Sequence, residues 1–390
     1  MYGFVEESSL QSIANTVKSY GVNKSYKPSE MAGGVHDVFN VGYTQGSSAG
    51  YSQGYSEGAN VLSQFFNKSL TKLESEDITG AIEKYAAYKN TGLITVHLPK
   101  VTSLGEYSFS NCSNLKNITM EKLTTIGDYA FQSCSQITNI SFPKVTTLGS
   151  LALENANITT ITDDIFPSLT TIGNRSFPSK ATIVRLSKVN AFSSNQAFYN
   201  RTALVELDLP ALEDISKDNF ATGCSKLTTL NLPNLTTING SSAFSGCSAL
   251  ASFNLPNLTT INKSSTFEKC TKITEISLPS LTSLYAYSTF SGCTNLVTIN
   301  IPNAVFTYSS SPFYNCSKLV NLTMKPNSLT LATSIAQSSL LSDASIQNVV
   351  DALADLTGAT SRKLTLHSTV LNKLTDEQLA TIAAKNWTVG

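Results

Sequence analysis

Residues 227–249 read LTTLNLPNLTTINGSSAFSGCSA, and residues 250–272 repeat the pattern as LASFNLPNLTTINKSSTFEKCTK. A fixed period of about 23 residues indicates stacked supersecondary units. Further copies start at Leu93, Leu115, Ile137, Leu204, Ile273 and Leu296, while the stretches near Ile158 and Ala181 keep only part of the pattern. Residues 93–341 are therefore predicted to form a repeat solenoid of about eleven turns.

The apolar residues of each copy occupy positions 1, 4, 6, 9 and 12, as Leu227, Leu230, Leu232, Leu235 and Ile238 do. A spacing of two is that of a strand whose alternate side chains point inward. Proline at position 7 cannot donate to a strand ladder, so it is expected to end the first short strand. A Phe-x-x-Cys element then fills the interior, and stacking buries a core that one turn alone cannot bury.

The cysteines share one place in the repeat. They are Cys112, Cys134, Cys224, Cys247, Cys270, Cys293 and Cys316. Identical positions in a solenoid form a column, and a buried free cysteine packs as a small hydrophobe. Metal sites favour paired spacings such as C-x-x-C, which the sequence lacks. We therefore expect a reduced cysteine column with no metal, in keeping with assembly in a cytoplasm.

The motif Leu-Pro-x-Leu-Thr-x-Ile, followed in the turn from Leu115 by Gly127, Asp128, Tyr129, Ala130, Phe131 and Cys134, resembles the BspA-type leucine-rich repeat. The resemblance covers residues 93–341 and implies an α/β leucine-rich-repeat solenoid without catalytic residues. Its known members are bacterial surface adhesins, host-binding proteins, and proteins of phages and prophages from gut Firmicutes. This chain differs from the surface members in showing no export signal, wall anchor or membrane tail, which weighs against a cell-surface role.

The first 58 residues are predicted to form an attachment or oligomerisation region. Residues 8–20 read as a helix that Gly21 ends, and a second short helix is expected over about 28–39. The segment Tyr-Lys-Pro-Ser-Glu-Met at residues 26–31 is similar to the opening of tail-associated proteins of Firmicutes phages.

A series of glycines recurs every four residues in this region: Gly42, Gly46, Gly50, Gly54 and Gly58. Two interpretations remain open. Glycine costs about 1 kcal/mol in a helix interior, which favours a linker. A column of small residues spaced by four would instead lie on one helical face and permit close self-association, which implies a homo-oligomer.

Both ends of the solenoid are expected to be covered, since uncapped ends expose core and strand edges. Residues 59–92 are predicted to hold two helices that form a helical N-terminal cap. The C-terminal cap, residues 342–390, is predicted to contain a helix over 343–356 and a strand over 363–367. Thr375 and Gln378 predict a capping box for a final helix before a closing strand at 387–389. The C-terminal run resembles pieces that follow such repeats in phage and prophage proteins.

Little in the sequence points to catalysis or to nucleic acid. Histidine is the commonest general base, and the three histidines, His36, His97 and His367, are dispersed over the N-terminal region, the first turn and the terminal cap. Asp163 and Asp164 are more typical of a loop than of a carboxylate pair. Charged residues make up 14% of the chain and the formal net charge is +0. We expect no enzyme activity, no cofactor, no nucleic acid partner and no membrane insertion.

A first group of candidate binding residues lies on the first strand of each turn. Positions 3 and 5 of that strand point outward and carry mostly Thr, Asn and Ser, which a polysaccharide or a flat protein face accepts as hydrogen-bond partners. The predicted points of local specificity are Arg185, Glu206 and Asp208, and Asn231 and Asn254 are further candidate binding residues. The alternative is a solvated sheet whose Thr and Asn side chains only keep the surface soluble.

A second group is aromatic. It consists of Tyr285, Tyr287, Phe306, Tyr308 and Tyr314, which stand where neighbouring turns carry Asn, Gly or Ser. An exposed aromatic cluster of this kind is typical of binding hot spots and sugar platforms. Phe192, Phe198 and Tyr199 interrupt an earlier turn in the same way. About half of these aromatic residues are expected to belong to the core instead.

Together these features predict a non-enzymatic recognition protein of a phage or prophage tail, present in the virion and assembled in the bacterial cytoplasm. Its expected partners are a host cell-surface polysaccharide or protein and other virion tail proteins. A bacterial cell-surface adhesin of the same fold and a purely structural virion component remain alternatives.

Overall fold

The computed structural model describes residues 71–285, 287–308 and 311–390. The helices predicted at 8–20 and 28–39, the glycine series at 42–58 and the cap residues 59–70 lie outside this part of the chain. The fold is a parallel β-solenoid with turns of about 23 residues, and the chain divides into two compact units. The first comprises the described residues up to Thr159 with Asp163–Leu169 and Ser176–Lys180, and the second comprises Thr160–Thr162, Thr170–Arg175 and Ala181–Gly390.

The strands of the first unit form two parallel sheets. In chain order they are β1 (Lys72–Glu74), β2 (Gly80–Ile82), β3 (Thr95–His97), β4 (Val101–Leu104), β5 (Asn117–Thr119), β6 (Thr125–Ile126) and β7 (Thr147–Leu148). β1, β3 and β5 pair side by side, and β2, β4, β6 and β7 pair in the second sheet. A turn therefore gives its first strand to one sheet and its second strand to the other.

The second unit follows the same plan. Its strands are β8 (Thr160–Thr162), β9 (Thr171–Ile172), β10 (Ile183–Arg185), β11 (Ala191–Phe192), β12 (Glu206–Asp208), β13 (Asp214–Ile215), β14 (Thr229–Asn231), β15 (Thr237–Ile238), β16 (Thr260–Ile261), β17 (Glu275–Ser277), β18 (Ser283–Leu284), β19 (Thr298–Ile301), β20 (Val305–Phe306), β21 (Asn321–Met324) and β22 (Thr333–Ile335). First strands pair as β8-β10-β12-β14 and as β17-β19-β21, and second strands pair as β9-β11 and as β13-β15-β16-β18-β20.

The C-terminal residues combine helices with a short sheet. They form α1 (Asp343–Ala352), β23 (Arg362–Leu366), α2 (Ser368–Leu371), α3 (Asp376–Ala384) and β24 (Trp387–Val389), and β23 pairs with both β22 and β24. The predicted capping box is present, because the Thr375 side chain accepts from the Gln378 amide and the Gln378 side chain accepts from the Thr375 amide. Helix α1 ends before the predicted residue 356, since Leu353 has extended backbone with φ −63° and ψ 125°.

The strand register explains the spacing of apolar residues. β12 and β14 pair with Leu207 opposite Leu230, both buried, while Glu206 and Asp208 lie opposite Thr229 and Asn231 on the outer face. Equivalent residues of successive turns are thus superposed, and inward leucines stack on leucines. The predicted alternation of inward and outward side chains is confirmed.

The phenylalanines and cysteines of the Phe-x-x-Cys element occupy the interior. Phe267 stacks between Phe244 and Phe290, with ring centroids 5.5 and 6.0 Å away. All seven cysteines are buried free thiols. The Cys270 Sγ–H donates to the Phe244 carbonyl oxygen at 3.3 Å and the Cys224 Sγ–H donates to that of Phe198 at 3.1 Å. Each thiol therefore satisfies a buried carbonyl of an earlier turn, a role that the sequence did not predict.

A residue with left-handed backbone lies two positions before the interior phenylalanine of most turns. Examples are Tyr107, Tyr129 and Ser265, with φ of 56°, 57° and 57°. This conformation costs a non-glycine residue roughly 1–2 kcal/mol, and it is held by hydrogen bonds from its amide to the next turn, as from Tyr107 to the Asp128 carbonyl at 2.9 Å. We call this set the left-handed column; it also contains Arg175, Gln196, Ser242 and Ser288 and, in turns where the residue two positions later is Ala or Leu, Tyr85, Leu151 and Asn219.

The structure corrects the interpretation of residues 71–92. These residues hold β1 and β2 and form a further solenoid turn in place of the expected helix, with Leu73 of β1 opposite Val96 of β3. The spacing of Ile78, Ile82 and Tyr85 fits a helix face, but Ile82 is a strand residue and Tyr85 has left-handed backbone. With the C-terminal turns included, the solenoid has about 14 turns, against the predicted eleven.

Substitution of Gly127 by alanine is expected to lower the free energy of unfolding by about 1–3 kcal/mol through overpacking. A Cβ at Gly127 would lie 2.6 Å from the Leu104 carbonyl oxygen and 3.0 Å from the Gly105 carbonyl carbon, both backbone atoms of the preceding turn. Urea unfolding of Gly127→Ala and of Glu121→Ala, an exposed site on the same turn, measures the difference. Equal midpoints for the two variants would contradict this close approach between turns.

Candidate functional site

Three of the predicted tyrosines come together on the surface of the second unit. Tyr285 follows β18, Tyr287 lies two residues further on, and Tyr308 follows β20. The rings of Tyr285 and Tyr308 stack with centroids 4.7 Å apart and an interplanar angle of 24°. Tyr287 meets Tyr308 edge to face at 5.9 Å and 70°. We call these three residues the tyrosine cluster.

The tyrosine cluster is both exposed and anchored. Tyr287 and Tyr308 have 48% and 43% of their surfaces exposed, and Tyr285 is half-buried. The Tyr285 amide donates to the Ile261 carbonyl at 2.7 Å, and the Tyr287 carbonyl accepts from the Ser265 amide at 3.0 Å. The backbone that carries the rings is thus fixed by the neighbouring turn, which leaves the rings as a preorganised surface.

The other predicted aromatic residues have different positions. Tyr314 is 53% exposed, and the ring contacts of the described residues do not join it to the cluster. Phe306 is buried because it occupies the inward position of β20, opposite Leu284. Phe192 and Phe198 are buried as well, whereas Tyr199 is half-buried. The expectation that about half of these residues belong to the core is consistent with these positions.

The predicted polar residues form a row along neighbouring first strands. Arg185 and Glu206 make a two-point ion pair, in which Arg185 Nε lies 2.5 Å and a terminal nitrogen 2.6 Å from the two carboxylate oxygens. The hydrogen bond from Arg185 lowers the pKa of Glu206. The next residue in the row, Asn231, donates to Asp208 at 2.8 Å and pairs with Asn254 through a backbone bridge.

Sequence reasoning missed a second aromatic group in the first unit. Tyr85, Tyr107 and Tyr129 of the left-handed column stack at 5.0 and 4.4 Å with nearly parallel rings, and Tyr88 packs edge-on against the first two. Burial, followed by the charges of Tyr129 and Tyr85, raises the pKa of Tyr107 to about 12. The constant spacing of 22 residues between the three tyrosines was the available signal.

The described residues that were considered for catalysis lie beside an ion-pair partner, at a helix cap or in a turn. His97 Nε2 lies 3.5 Å from Glu76, and His367 caps α2 by accepting from the Thr369 amide. Asp163 and Asp164 lie in a turn after β8. His36 falls outside the described residues. Within the described ranges no group of His, Cys, Asp or Glu is arranged to hold a metal ion, and no helix has the length and apolar character to cross a bilayer.

Comparison with known families decides the classification. The family described as "BspA type Leucine rich repeat region" matches the chain in 6 copies, over residues 62–184, 179–288 and 240–357. The chain belongs to the BspA-type leucine-rich repeat family. Leucine-rich repeat proteins are typically non-enzymatic binding scaffolds, and the BspA-type repeats account for both the strand pairs and the Phe-x-x-Cys interior of this chain.

Several solved structures share similarity with this BspA-type chain. A leucine-rich repeat protein from Bacteroides ovatus is 16% identical, with 83% of this chain and 91% of that chain covered and a TM-score of 0.45. A leucine rich cell surface protein from Faecalibacterium prausnitzii is 20% identical, with 63% and 79% covered and a TM-score of 0.31. The pneumococcal vaccine antigen PcpA is 14% identical, with 83% and 82% covered and a TM-score of 0.34. No curated protein matches the sequence.

Proposed function

We propose that this BspA-type protein is a non-enzymatic recognition protein whose tyrosine cluster binds a host cell-surface ligand, either a polysaccharide or a protein. The observation that carries the proposal is the exposure of Tyr287 and Tyr308 beside the stacked Tyr285 ring. Tyr is enriched at binding hot spots because it offers an apolar face and a polar tip.

Preorganisation supports the use of this surface for binding. Because the flanking backbone is held by hydrogen bonds to Ile261 and Ser265 of an earlier turn, a ligand needs to immobilise little of the protein. The Thr289 hydroxyl, which donates to the Tyr285 carbonyl at 2.6 Å, fixes the same segment from the other side. The exposed ring surfaces then accept the C–H face of a sugar or an apolar side chain.

The row of polar residues along the first strands is proposed to set specificity. Arg185 and Glu206 already satisfy each other, so a ligand that displaces this pair loses two charge-assisted hydrogen bonds. Asn254 is exposed and offers an amide to a ligand. We assign these residues to specificity and the tyrosine cluster to affinity.

The proposed setting is the tail of a phage or prophage, with residues 1–58 attaching the solenoid to the particle or joining copies of the chain. The resemblance of residues 26–31 to the opening of tail-associated proteins supports this assignment. A bacterial surface adhesin is the alternative that the family itself favours. A purely structural virion component would show the particle association without ligand binding.

Replacement of Tyr285 and Tyr308 by alanine is expected to weaken binding to the host surface by about 30–1000-fold, because each hot-spot aromatic contributes roughly 1–2 kcal/mol. Binding of the full chain is measured on an array of bacterial wall glycans and on intact host cells. Tyr314→Ala is the matched control, since it removes an equally exposed tyrosine outside the cluster. If the double variant binds as the unmodified protein does, the tyrosine cluster is not the site.

Mass spectrometry of gradient-purified phage particles tests the setting separately. The tail proposal requires the chain on the particle, and it requires that deletion of residues 1–58 removes the chain from the particle or changes its oligomeric state. Detection on the bacterial surface and never on particles would support the adhesin. Particle association without any ligand for the tyrosine cluster would support the structural alternative.

A further inference from the structure

The first-strand sheet of the first unit opens after β5. The turn from Ile137 was expected to add a strand around Asn139 and Ser141, but residues 138–141 form no strand, and the sheet β1-β3-β5 ends at β5. The second-strand sheet of the same turns stays closed, with Thr125 of β6 opposite Thr147 of β7. The opening is therefore confined to one side of the solenoid.

The main chain loses its regular hydrogen bonds at this opening. Between β3 and β5 the Asn117 amide donates to the Ile94 carbonyl, and the Leu98 amide donates to the Thr119 carbonyl. The equivalent pairs one turn later would join the Asn139 amide to the Lys116 carbonyl and the Met120 amide to the Ser141 carbonyl. The described hydrogen bonds include neither pair. The edge of β5 thus faces the irregular segment 138–141 without these main-chain hydrogen bonds between them.

Phe142 marks the departure of this turn from the pattern. The places that Phe131 and Cys134 hold in the preceding turn are taken here by Leu153 and Ala156. Phe142, at a position where the neighbouring turn has Met120, fills the phenylalanine column instead, with ring centroids 6.0 Å from Phe131 and 5.9 Å from Phe166. The ring that fills the interior at this turn therefore follows directly after the segment 138–141 that forms no strand.

The opening forms a groove of about 590 Å³ with an apolar floor and a polar rim. The floor includes Ile118, which is half-buried although its counterparts Val96 and Leu207 are fully buried. The rim includes Gln136, Thr138 and Lys116, the last being the charged member of the lining. We call this groove the strand slot.

We propose that the strand slot binds an extended peptide segment of a partner protein, which inserts as a parallel strand between β5 and residues 138–141. An extended main chain offers donors and acceptors every second residue to each side, which suits the edge of β5 and the segment opposite it. A three-residue edge spans roughly 10 Å, enough for three or four residues of ligand. The matching sequence has one apolar residue for Ile118 between polar neighbours.

The probe is a blocked, fluorescent hexapeptide LTTLNL, which copies residues 227–232 and so includes a strand that pairs with a parallel neighbour in this protein. Titration of the full chain is expected to give saturable binding. Binding also increases the protection of the Ile118 and Met120 amides against hydrogen exchange by about tenfold or more. Absence of saturation up to roughly 1 mM peptide would mean a binding free energy weaker than about 4 kcal/mol and would overturn the proposal.

A backbone-methylated control isolates the main-chain contribution. The same peptide with N-methyl groups at the third and fifth residues keeps every side chain but loses the donors for one edge, and it is expected to bind at least about tenfold more weakly. Equal binding of both peptides would mean a purely apolar contact and would refute strand insertion. Protection of the same amides by a hexasaccharide but not by LTTLNL would assign the slot to glycans and likewise refute the proposal.

A protein variant tests the cause of the opening. Phe142→Leu combined with Leu153→Phe restores the pattern of the neighbouring turns, and it is expected to close the slot, protect the Met120 amide without ligand and abolish peptide binding. Glu121→Ala, an exposed variant on the turn of β5 and outside the lining of the slot, retains main-chain pairing and serves as the control. The two peptide measurements on the unmodified chain decide the proposal even if the double variant fails to fold.

Discussion

Phe267→Ala is expected to lower the free energy of unfolding by about 3–5 kcal/mol, the usual loss for a fully buried phenylalanine. Its ring is inaccessible to solvent and contacts the rings of Phe244, Phe290 and Phe253, the last at 4.6 Å. Alanine leaves a void between two turns, and each turn is stabilised mainly by its neighbours. Urea unfolding monitored by circular dichroism gives the size of the loss.

Two control variants define the specificity of that result. Tyr314→Ala removes a large but exposed ring and is expected to change the free energy of unfolding by less than about 0.5 kcal/mol. Phe267→Leu retains most of the buried volume and is expected to fall between the two. A loss below about 1 kcal/mol for Phe267→Ala would show that the interior collapses around the missing ring, contrary to a stack held by phenylalanines.

The second large effect concerns the thiols. At pH 8 Cys224 and Cys293 are expected to react with a disulfide reagent at least about a thousandfold more slowly in the folded than in the unfolded protein, since the thiolate is the reactive form. Burial raises the pKa of Cys224 and of Cys293 from 9.0 to about 12 in each case. Stopped-flow labelling with and without denaturant counts the thiols and measures their rates. Rapid reaction of any thiol in the folded chain would place it outside the column.

The same shift predicts a loss of stability at alkaline pH. A thiol whose folded pKa lies above its unfolded value stabilises the fold fully below the unfolded pKa, and that contribution is lost as the pH rises through the folded pKa. The window for Cys224 and Cys293 is therefore about pH 9–12. Cys224→Ala and Cys293→Ala are expected to flatten the pH dependence of the unfolding midpoint in that window. An unchanged slope would mean that other groups, such as tyrosines, cause it.

The regular turns were predictable from sequence because one rule repeats. Leucine at positions 4 and 6 with proline at position 7 requires an inward-facing strand followed by a turn, and the pairing of β12 with β14 follows it. The departures were not predictable in this way. Residues 71–92 lack the leucine and proline pattern, so their strands β1 and β2 depend on pairing with β3 and β4, which are contacts between turns.

The tyrosine cluster was partly predictable. The irregular placement of Tyr285, Tyr287 and Tyr308 in the repeat indicated surface rings, but the stacking of Tyr285 on Tyr308 depends on the superposition of two turns. Phe306 could have been assigned to the core, since it aligns with Leu284 of the preceding turn. The strand slot was not predicted. It lies at the turn where Leu153 replaces the usual phenylalanine and Phe142, from another position of the repeat, fills the interior.

The left-handed column accepts different side chains from turn to turn. Its backbone is held by amide to carbonyl bonds between turns, as between Ser242 and Ser264 at 2.9 Å, and these bonds do not involve side chains. Residues as different as Tyr129, Leu151 and Arg175 therefore occupy equivalent places with φ of 57°, 53° and 46°. The same conformational cost recurs at every such place, and the result is a line of half-buried positions whose side chains differ from turn to turn while the backbone stays the same.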